Sequence, residues 1–301
     1  MIVWLRRLLL VLISIVAVAG AGFGVTALRF WLRFRNQECR VTPLMYHAIV
    51  PDEGPGARYW MREQKFARQM ADLRAAGAVT PPLDSIVTWL ENPGPGCPFP
   101  PNSIVITFDL DGVSRHLELV LPHLVEQGFR AVFFVPLMAL DHPPGVTSDA
   151  LRQMAAAGMT VGSHSEHHYD MRLEQPDSMV ASLLRTRERL SAITGQAVTT
   201  VSAPGGRYNA TVVAGVGRAG FTSFFTSDPC YIAPPAAPRT LCRIEIRGDE
   251  GMPALDAVRK PWPVAVQAAD WAIKRGVESL VGPRFWGLLH FLRSEAGGPG
   301  Y

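Results

Sequence analysis

The sequence predicts an α/β fold, a distorted or incomplete (β/α) barrel of about seven parallel strands preceded by one N-terminal transmembrane helix. Three observations carry that expectation. Past residue 40, short apolar runs alternate with amphipathic stretches, and strands that alternate with helices imply parallel pairing. Each amphipathic stretch tends to finish at a glycine, the usual helix stop. Ahead of residue 40 lies an uncharged, mostly apolar run between arginines. An open doubly wound sheet is the alternative arrangement of the same elements.

In chain order, Leu8–Leu28 is 21 residues without a charge, with Arg6 and Arg7 before it and Arg29, Arg33 and Arg35 after it. That length spans a bilayer core as a helix. The competing reading is a cleaved signal peptide, with Leu8–Val16 as its apolar region and Ala17-Val18-Ala19 as the small-residue cleavage site. Residues 1–36 are therefore expected to be a membrane anchor or signal segment. Strands are expected at Leu44–Ile49, Ser103–Phe108, Ala131–Val135, Thr160–Gly162, Thr199–Ala203, Thr222–Thr226 and Cys242–Ile246. Helices are expected at Arg62–Ala76, where Phe66, Met70 and Leu73 share a face, and at Leu117–Gln127, Asp149–Ala157 and Ser178–Ile193. The segment NPGPGCPFPP at Asn92–Pro101 must be a loop. These elements make residues 41–250 the α/β body and 251–301 a helical appendage, with Leu255–His290 its helical part.

The charge divides the same way. The net charge is +3, but residues 1–40 hold six arginines against one acid, a local +5. The other 261 residues hold 23 basic against 25 acidic groups and sum to −2. No basic face remains in the body, so no nucleic-acid partner is expected. Four cysteines (Cys39, Cys97, Cys230, Cys242) form no C-x-x-C pair and so give no support to a thiolate zinc site. Their even number allows disulfides, and unpaired thiols fit equally well.

Active-site groups of parallel α/β folds belong at the C-terminal ends of strands, and three polar clusters fall there. After Ile104-Val105-Ile106 comes Thr107-Phe108-Asp109-Leu110-Asp111-Gly112. In an extended chain residues i and i+2 point the same way, so Asp109 and Asp111 can converge on one site. After Thr160–Gly162 comes Ser163-His164-Ser165-Glu166-His167-His168. His164 and His168 are four apart, which in a helical turn puts both imidazoles on one face, able to bind one metal. Two histidines and one carboxylate leave open positions for water and substrate, as a catalytic Zn²⁺ needs. The third cluster is Ser202-Ala203-Pro204-Gly205-Gly206-Arg207-Tyr208-Asn209, whose glycines let backbone N–H groups face a developing oxyanion.

In this order the clusters resemble the polysaccharide deacetylase family, carbohydrate esterase family four with its NodB-homology domain, over roughly residues 41–250. The family's first motif is Thr-Phe-Asp-Asp-Gly, its second pairs two histidines, and its third is Arg-x-Pro-aromatic-Gly. His164-Ser165-Glu166-His167-His168 matches the second best. Leu44-Met45-Tyr46-His47-Ala48-Ile49 looks like the start of bacterial members acting on poly-N-acetylglucosamine. The resemblance implies Asp109 as general base, Asp111, His164 and His168 as ligands of a divalent metal (zinc, or cobalt or nickel), and the Gly205 N–H in the oxyanion hole. His47, Arg207, Tyr208, Asp228 and His290 are the candidate substrate-binding or supporting residues. The chain departs from the family in three ways. Leu110 separates the two aspartates, Ser202 stands where the third motif has arginine, and Gly205 replaces its aromatic residue. The only match to the family's late Leu-x-His motif is Leu288-Leu289-His290, far beyond the last expected strand.

The expected activity is metal-dependent removal of N-acetyl groups from an N-acetylglucosamine-containing glycan or cell-envelope polysaccharide, by a membrane-anchored enzyme with an extracytoplasmic body, or a secreted one if the leader is cleaved. Two rival functions stand beside it. One is a membrane-anchored, non-catalytic carbohydrate-binding domain. The other is a haloacid-dehalogenase-type phosphatase using Asp109-x-Asp111, which lacks a lysine between that motif and Gly248-Asp249.

Overall fold

The structure is a computed structural model and describes residues 20–53, 60–110, 115–237, 240–248 and 251–282. Two compact units divide it. One is built from residues 1–37 and 260–301 of the chain's two ends, described over 20–37 and 260–282; the other is Glu38–Arg259.

The larger unit is a parallel sheet of seven strands: β1 (Thr42–Tyr46), β4 (Ile104–Asp109), β5 (Ala131–Val135), β6 (Thr160–Ser163), β7 (Thr200–Ser202), β8 (Ser223–Phe225) and β9 (Ile244–Glu245). Their spatial order is β8-β7-β6-β5-β4-β1-β9. Two short strands, β2 (Ile49–Val50) and β3 (Met61–Arg62), pair in parallel beside it. The expected distorted barrel is present. Its two sheet edges are joined by one stretch of chain. Leu241 bridges β8, with its N–H donating to Phe224 O at 2.8 Å and its carbonyl accepting from Thr226 N–H at 2.7 Å. Three residues on, Ile244 pairs with Leu44 of β1.

Alternation along β4 separates two environments. Val105 belongs to a buried cluster with Val132, Phe134 and Phe225, capped by Ile86, Trp89 and Leu90 of α3 (Leu83–Glu91). Phe108 points to the other side, stacked between Tyr46 and Phe133 and edge-on to Phe66 of α2 (Glu63–Ala75). Thr107 and Asp109 share the inner face of Val105 at the C-terminal end of the strand, so a carboxylate stands over an apolar interior.

The helices follow the sequence pattern. Phe66, Met70 and Leu73 are fully buried on α2. The expected helix Leu117–Gln127 is two, α4 (His116–Leu119) and α5 (Leu121–Glu126), interrupted next to Pro122, whose ring suits only a first helical turn. The sheet is further flanked by α6 (Ser148–Ala156), α7 (Pro176–Thr194), α8 (Ala210–Arg218) and α9 (Ala254–Arg259). All four cysteines are paired, Cys39 with Cys97 and Cys230 with Cys242, which decides what the sequence left open.

The smaller unit packs α1 (residues 20–34) against α10 (Pro261–Val281). Ala27, Ala265 and Ala269 are fully buried between them, with Phe23, Phe30 and Trp31 packed alongside. Small residues bring the two helix backbones close. Val25, Leu28 and Leu32 of α1 stay exposed, as do Trp262, Val266, Ile273, Val277 and Leu280 on one face of α10. Among the described residues no helix is long and apolar enough to cross a membrane. Residues 8–19 of the expected span lie outside the described residues.

Candidate active site

Asp109 ends β4, 3% exposed. Both of its oxygens are gripped by Arg243, which is wholly buried: Nη1 donates to Oδ1 at 2.6 Å and Nη2 to Oδ2 at 2.8 Å. A bidentate fork fixes the plane of a carboxylate as well as its charge. Burial pushes the Asp109 carboxyl up. The Arg243 guanidinium, with His164 and His47 adding to it, outweighs burial and holds the carboxyl below the usual carboxylate range. Asp109 therefore stabilises the fold at neutral pH. That contribution is present above the unfolded-state value of about 3.9 and is lost as pH falls through the lower folded value. In acid titrations of metal-free protein, Asp109→Asn is expected to flatten the unfolding free energy over that lowest window and leave its slope above about pH 5 unchanged.

Ser202, at the end of β7, occupies the position of the family's motif arginine. Its Oγ donates to Asp109 Oδ1 at 3.2 Å and lies 2.5 Å from His164 Nδ1. With the serine proton committed to the carboxylate, His164 Nδ1–H is the donor to Ser202, and the lone pair falls on Nε2. That atom is buried 3.9 Å from Asp109 Oδ2. A histidine whose Nδ1–H is held in this way is prepared for metal through Nε2.

His168 does meet His164, with ring centroids 4.9 Å apart and its own Nε2 buried. The expected helical turn is corrected here. His164 leaves β6 into a non-helical loop in which Ser165 and His168 both take left-handed φ values, 65° and 55°. Ser165 Oγ accepts the His168 N–H at 3.1 Å and closes the turn. The two imidazoles converge because a tight loop folds back on itself, not because of helical periodicity. His167 is exposed, 3.7 Å from Glu166 Oε2. The expected third ligand, Asp111, lies outside the described residues, and so does His290. Among the described residues no group of three acidic, histidine or cysteine side chains forms a complete metal site. The pair of buried imidazole nitrogens beside a carboxylate still fits a divalent cation, as nitrogen and oxygen donors that need one more ligand.

The third cluster forms a single turn after β7, Pro204–Gly206. Gly205 is exposed at φ 60°, and a Cβ there would meet only Arg207 side-chain atoms, at 3.8 Å or more. Gly206 is buried at φ 67°, where a Cβ would lie 2.4 Å from Ser227 Cβ and 3.2 Å from Ser227 N. Gly205→Ala is thus expected to cost about 1–2 kcal/mol, the left-handed penalty alone. Gly206→Ala is expected to cost clearly more, because backbone has to move. Thermal melts of the two variants check the order. Tyr208, next along, donates its hydroxyl to Asp228 Oδ2 at 2.5 Å, and Thr226 Oγ1 reaches the same oxygen at 3.3 Å. Arg207 lies near enough to Asp170 to lower its carboxyl, though Asp170 is paired mainly with Arg172. His47 follows β1 close enough to act on the Asp109 carboxyl.

Sequence reasoning missed Arg243. The signal was present: in Leu241-Cys242-Arg243-Ile244-Glu245-Ile246 a lone arginine sits within an apolar strand, and a buried guanidinium demands a carboxylate partner.

Charged side chains gathered over an apolar interior, at the carboxyl ends of parallel strands, put the polar cluster where enzymes built on α/β barrels carry their active sites. Residues 97–224 match the family model for polysaccharide deacetylase. The chain is 25% identical over 232 residues to YxkH of Bacillus subtilis strain 168, named as a polysaccharide deacetylase, covering 76% of this chain and 74% of that one. Among solved structures, the Streptococcus pyogenes deacetylase PplD, in complex with acetate, superposes with a TM-score of 0.63 at 21% identity, over 71% of this chain and 96% of that one. IcaB from Ammonifex degensii superposes with a TM-score of 0.61 at 21% identity, over 77% of this chain and 98% of that one. Both share the fold. Residues 97–224 thus match a polysaccharide deacetylase domain, and the chain is similar to hydrolases of that deacetylating class.

Proposed function

We propose that this protein removes N-acetyl groups from an N-acetylglucosamine-containing glycan of the cell envelope, using a divalent metal, and that its N-terminal segment tethers it to a membrane with the barrel on the extracytoplasmic side. The observation that carries the reaction is Asp109 held ionised and in plane beside two converging histidines. His164 and His168, with Asp111, would hold the metal, zinc by donor set with cobalt or nickel as alternatives. When bound, that ion polarises the acetyl carbonyl and acidifies water. Asp109 takes the proton of the attacking water as general base. The Gly205 N–H faces the developing oxyanion. His47, Arg207 and Tyr208 border the sugar, and Asp228 orients Tyr208.

Of the rival readings, the family match favours a hydrolase over a sugar-binding domain without catalysis. A phosphatase of that type would need a lysine between the Asp109-x-Asp111 motif and Gly248-Asp249, and the sequence has none there.

The membrane reading rests on the apolar run between arginines and on the exposed apolar faces of α1 and α10. The sidedness rests on the two disulfides, which belong to oxidising compartments. Arginines alone lean the other way, with two before the apolar run and Arg29, Arg33, Arg35 and Arg40 after it. Protease added to sealed cells is expected to cleave the barrel; complete protection would reverse the sidedness. Full-length protein in detergent is expected to release acetate from N-acetylglucosamine oligomers, to stop when chelated, and to recover on addition of zinc. Chelator-resistant release would remove the metal from the mechanism.

A further inference from the structure

We propose that Arg243 is the positioning residue of the general base, and that the Cys230–Cys242 disulfide makes this positioning depend on oxidation. The inference rests on the deacetylase reading above for its catalytic consequence, and on side-chain geometry for its structure.

Ser202 stands where the family has an arginine, and its single hydrogen bond to Asp109 at 3.2 Å leaves the carboxylate free to turn about that contact. Among the described residues only Arg243 holds both oxygens, from the position just before β9 and outside the matched residues 97–224. The guanidinium is itself cradled. Its Nε donates to the Thr226 carbonyl at 2.8 Å, its own backbone N–H donates to the Asp228 carbonyl at 3.1 Å, and its charge lies over the Phe134 ring at 5.4 Å.

The cradle has two sides, and one covalent bond pins both. Thr226 and Asp228 lie just before Cys230, while Arg243 follows directly on Cys242. Without the disulfide, the segment that carries the two carbonyls and the segment that carries the guanidinium keep their hydrogen bonds and the shared apolar cluster of Phe225 and Leu241, but no covalent link shorter than the 12-residue separation between the cysteines. The second disulfide lies elsewhere: Cys39 precedes β1 and Cys97 precedes β4, at the opposite ends of the strands from Asp109. It contributes to stability without touching the cradle, and so serves as the control.

The test uses the full chain in detergent. Arg243→Lys keeps the charge but loses the fork, and is expected to lower kcat for acetate release at least tenfold with KM within about twofold. Arg243→Ala is expected to be partly rescued by added guanidinium ion. The pair Cys230→Ala/Cys242→Ala is expected to lower kcat at least tenfold, whereas Cys39→Ala/Cys97→Ala lowers the melting temperature and leaves kcat within about twofold. A readout independent of turnover is the ¹⁵N-arginine NMR spectrum. The Arg243 Nη protons are expected to be protected from exchange in the oxidised protein, and to lose that protection in Cys230→Ala/Cys242→Ala but not in Cys39→Ala/Cys97→Ala. A lysine variant with wild-type kcat overturns the positioning role. Retained Arg243 protection without the Cys230–Cys242 bond overturns its dependence on oxidation. A wild-type protein that releases no acetate from any N-acetylated glycan defeats the proposed function, while the NMR comparison still decides the inference.

Discussion

Asp109→Asn is expected to lower kcat for acetate release by about 10²–10⁴-fold, the usual contribution of a positioned general base. The carboxamide keeps the shape and loses both the proton-accepting charge and one of the two acceptor oxygens. It also leaves Arg243 buried without a counter-charge. Removing one partner of a buried ion pair costs about 3–5 kcal/mol, a large part of the 5–15 kcal/mol that stabilises a typical domain. The kinetic loss therefore has to be read well below the melting temperature. If the folded variant keeps kcat within tenfold of wild type, Asp109 is not the base. The double change Asp109→Asn with Arg243→Met separates the two effects. It removes the orphaned charge along with its partner, so it is expected to recover stability relative to Asp109→Asn while staying inactive.

The second large effect belongs to the histidines. His164→Ala with His168→Ala is expected to abolish stoichiometric zinc and to reduce acetate release to the chelated wild-type level. Each imidazole removed would take away one donor from the proposed three-ligand site. His164→Ala carries a further consequence that His168→Ala lacks: Ser202 keeps its bond to Asp109 but loses the Nδ1–H donor inside the barrel, one buried hydrogen bond at a cost of about 0.5–1.5 kcal/mol. His168 is only half buried, so its alanine variant is expected to lose metal with little change in melting temperature. Metal analysis alongside thermal melts checks the contrast. Full metal content in the double variant would remove these histidines from the site.

The extent to which the site was legible differs residue by residue. Asp109 and His164 were readable because each follows an apolar strand, and strand ends in parallel folds are where polar side chains converge. The pairing of His164 with His168 was readable from spacing, but its cause was not. Two left-handed residues, Ser165 and His168, make the turn; histidine is enriched in that conformation but serine is not, and no residue type here requires it. Ser202 read as a loss of the motif arginine. The structure shows the position still bonded to Asp109, as a hydroxyl between Asp109 and His164. The disulfides could not be read, since four cysteines admit three pairings and also none.

What the sequence determined by itself is whatever depends on neighbours along the chain: the alternation of elements, the helix-stopping glycines, the segregation of positive charge to the first forty residues, and polar clusters that resemble deacetylase motifs. What only the tertiary structure decided depends on closure of the barrel. Arg243 lies 134 residues from Asp109 in the chain, on the stretch that joins β8 to β1. No local pattern links two residues so far apart. Their meeting is fixed by the order in which seven strands pair, and by the cost of burying either charge without the other.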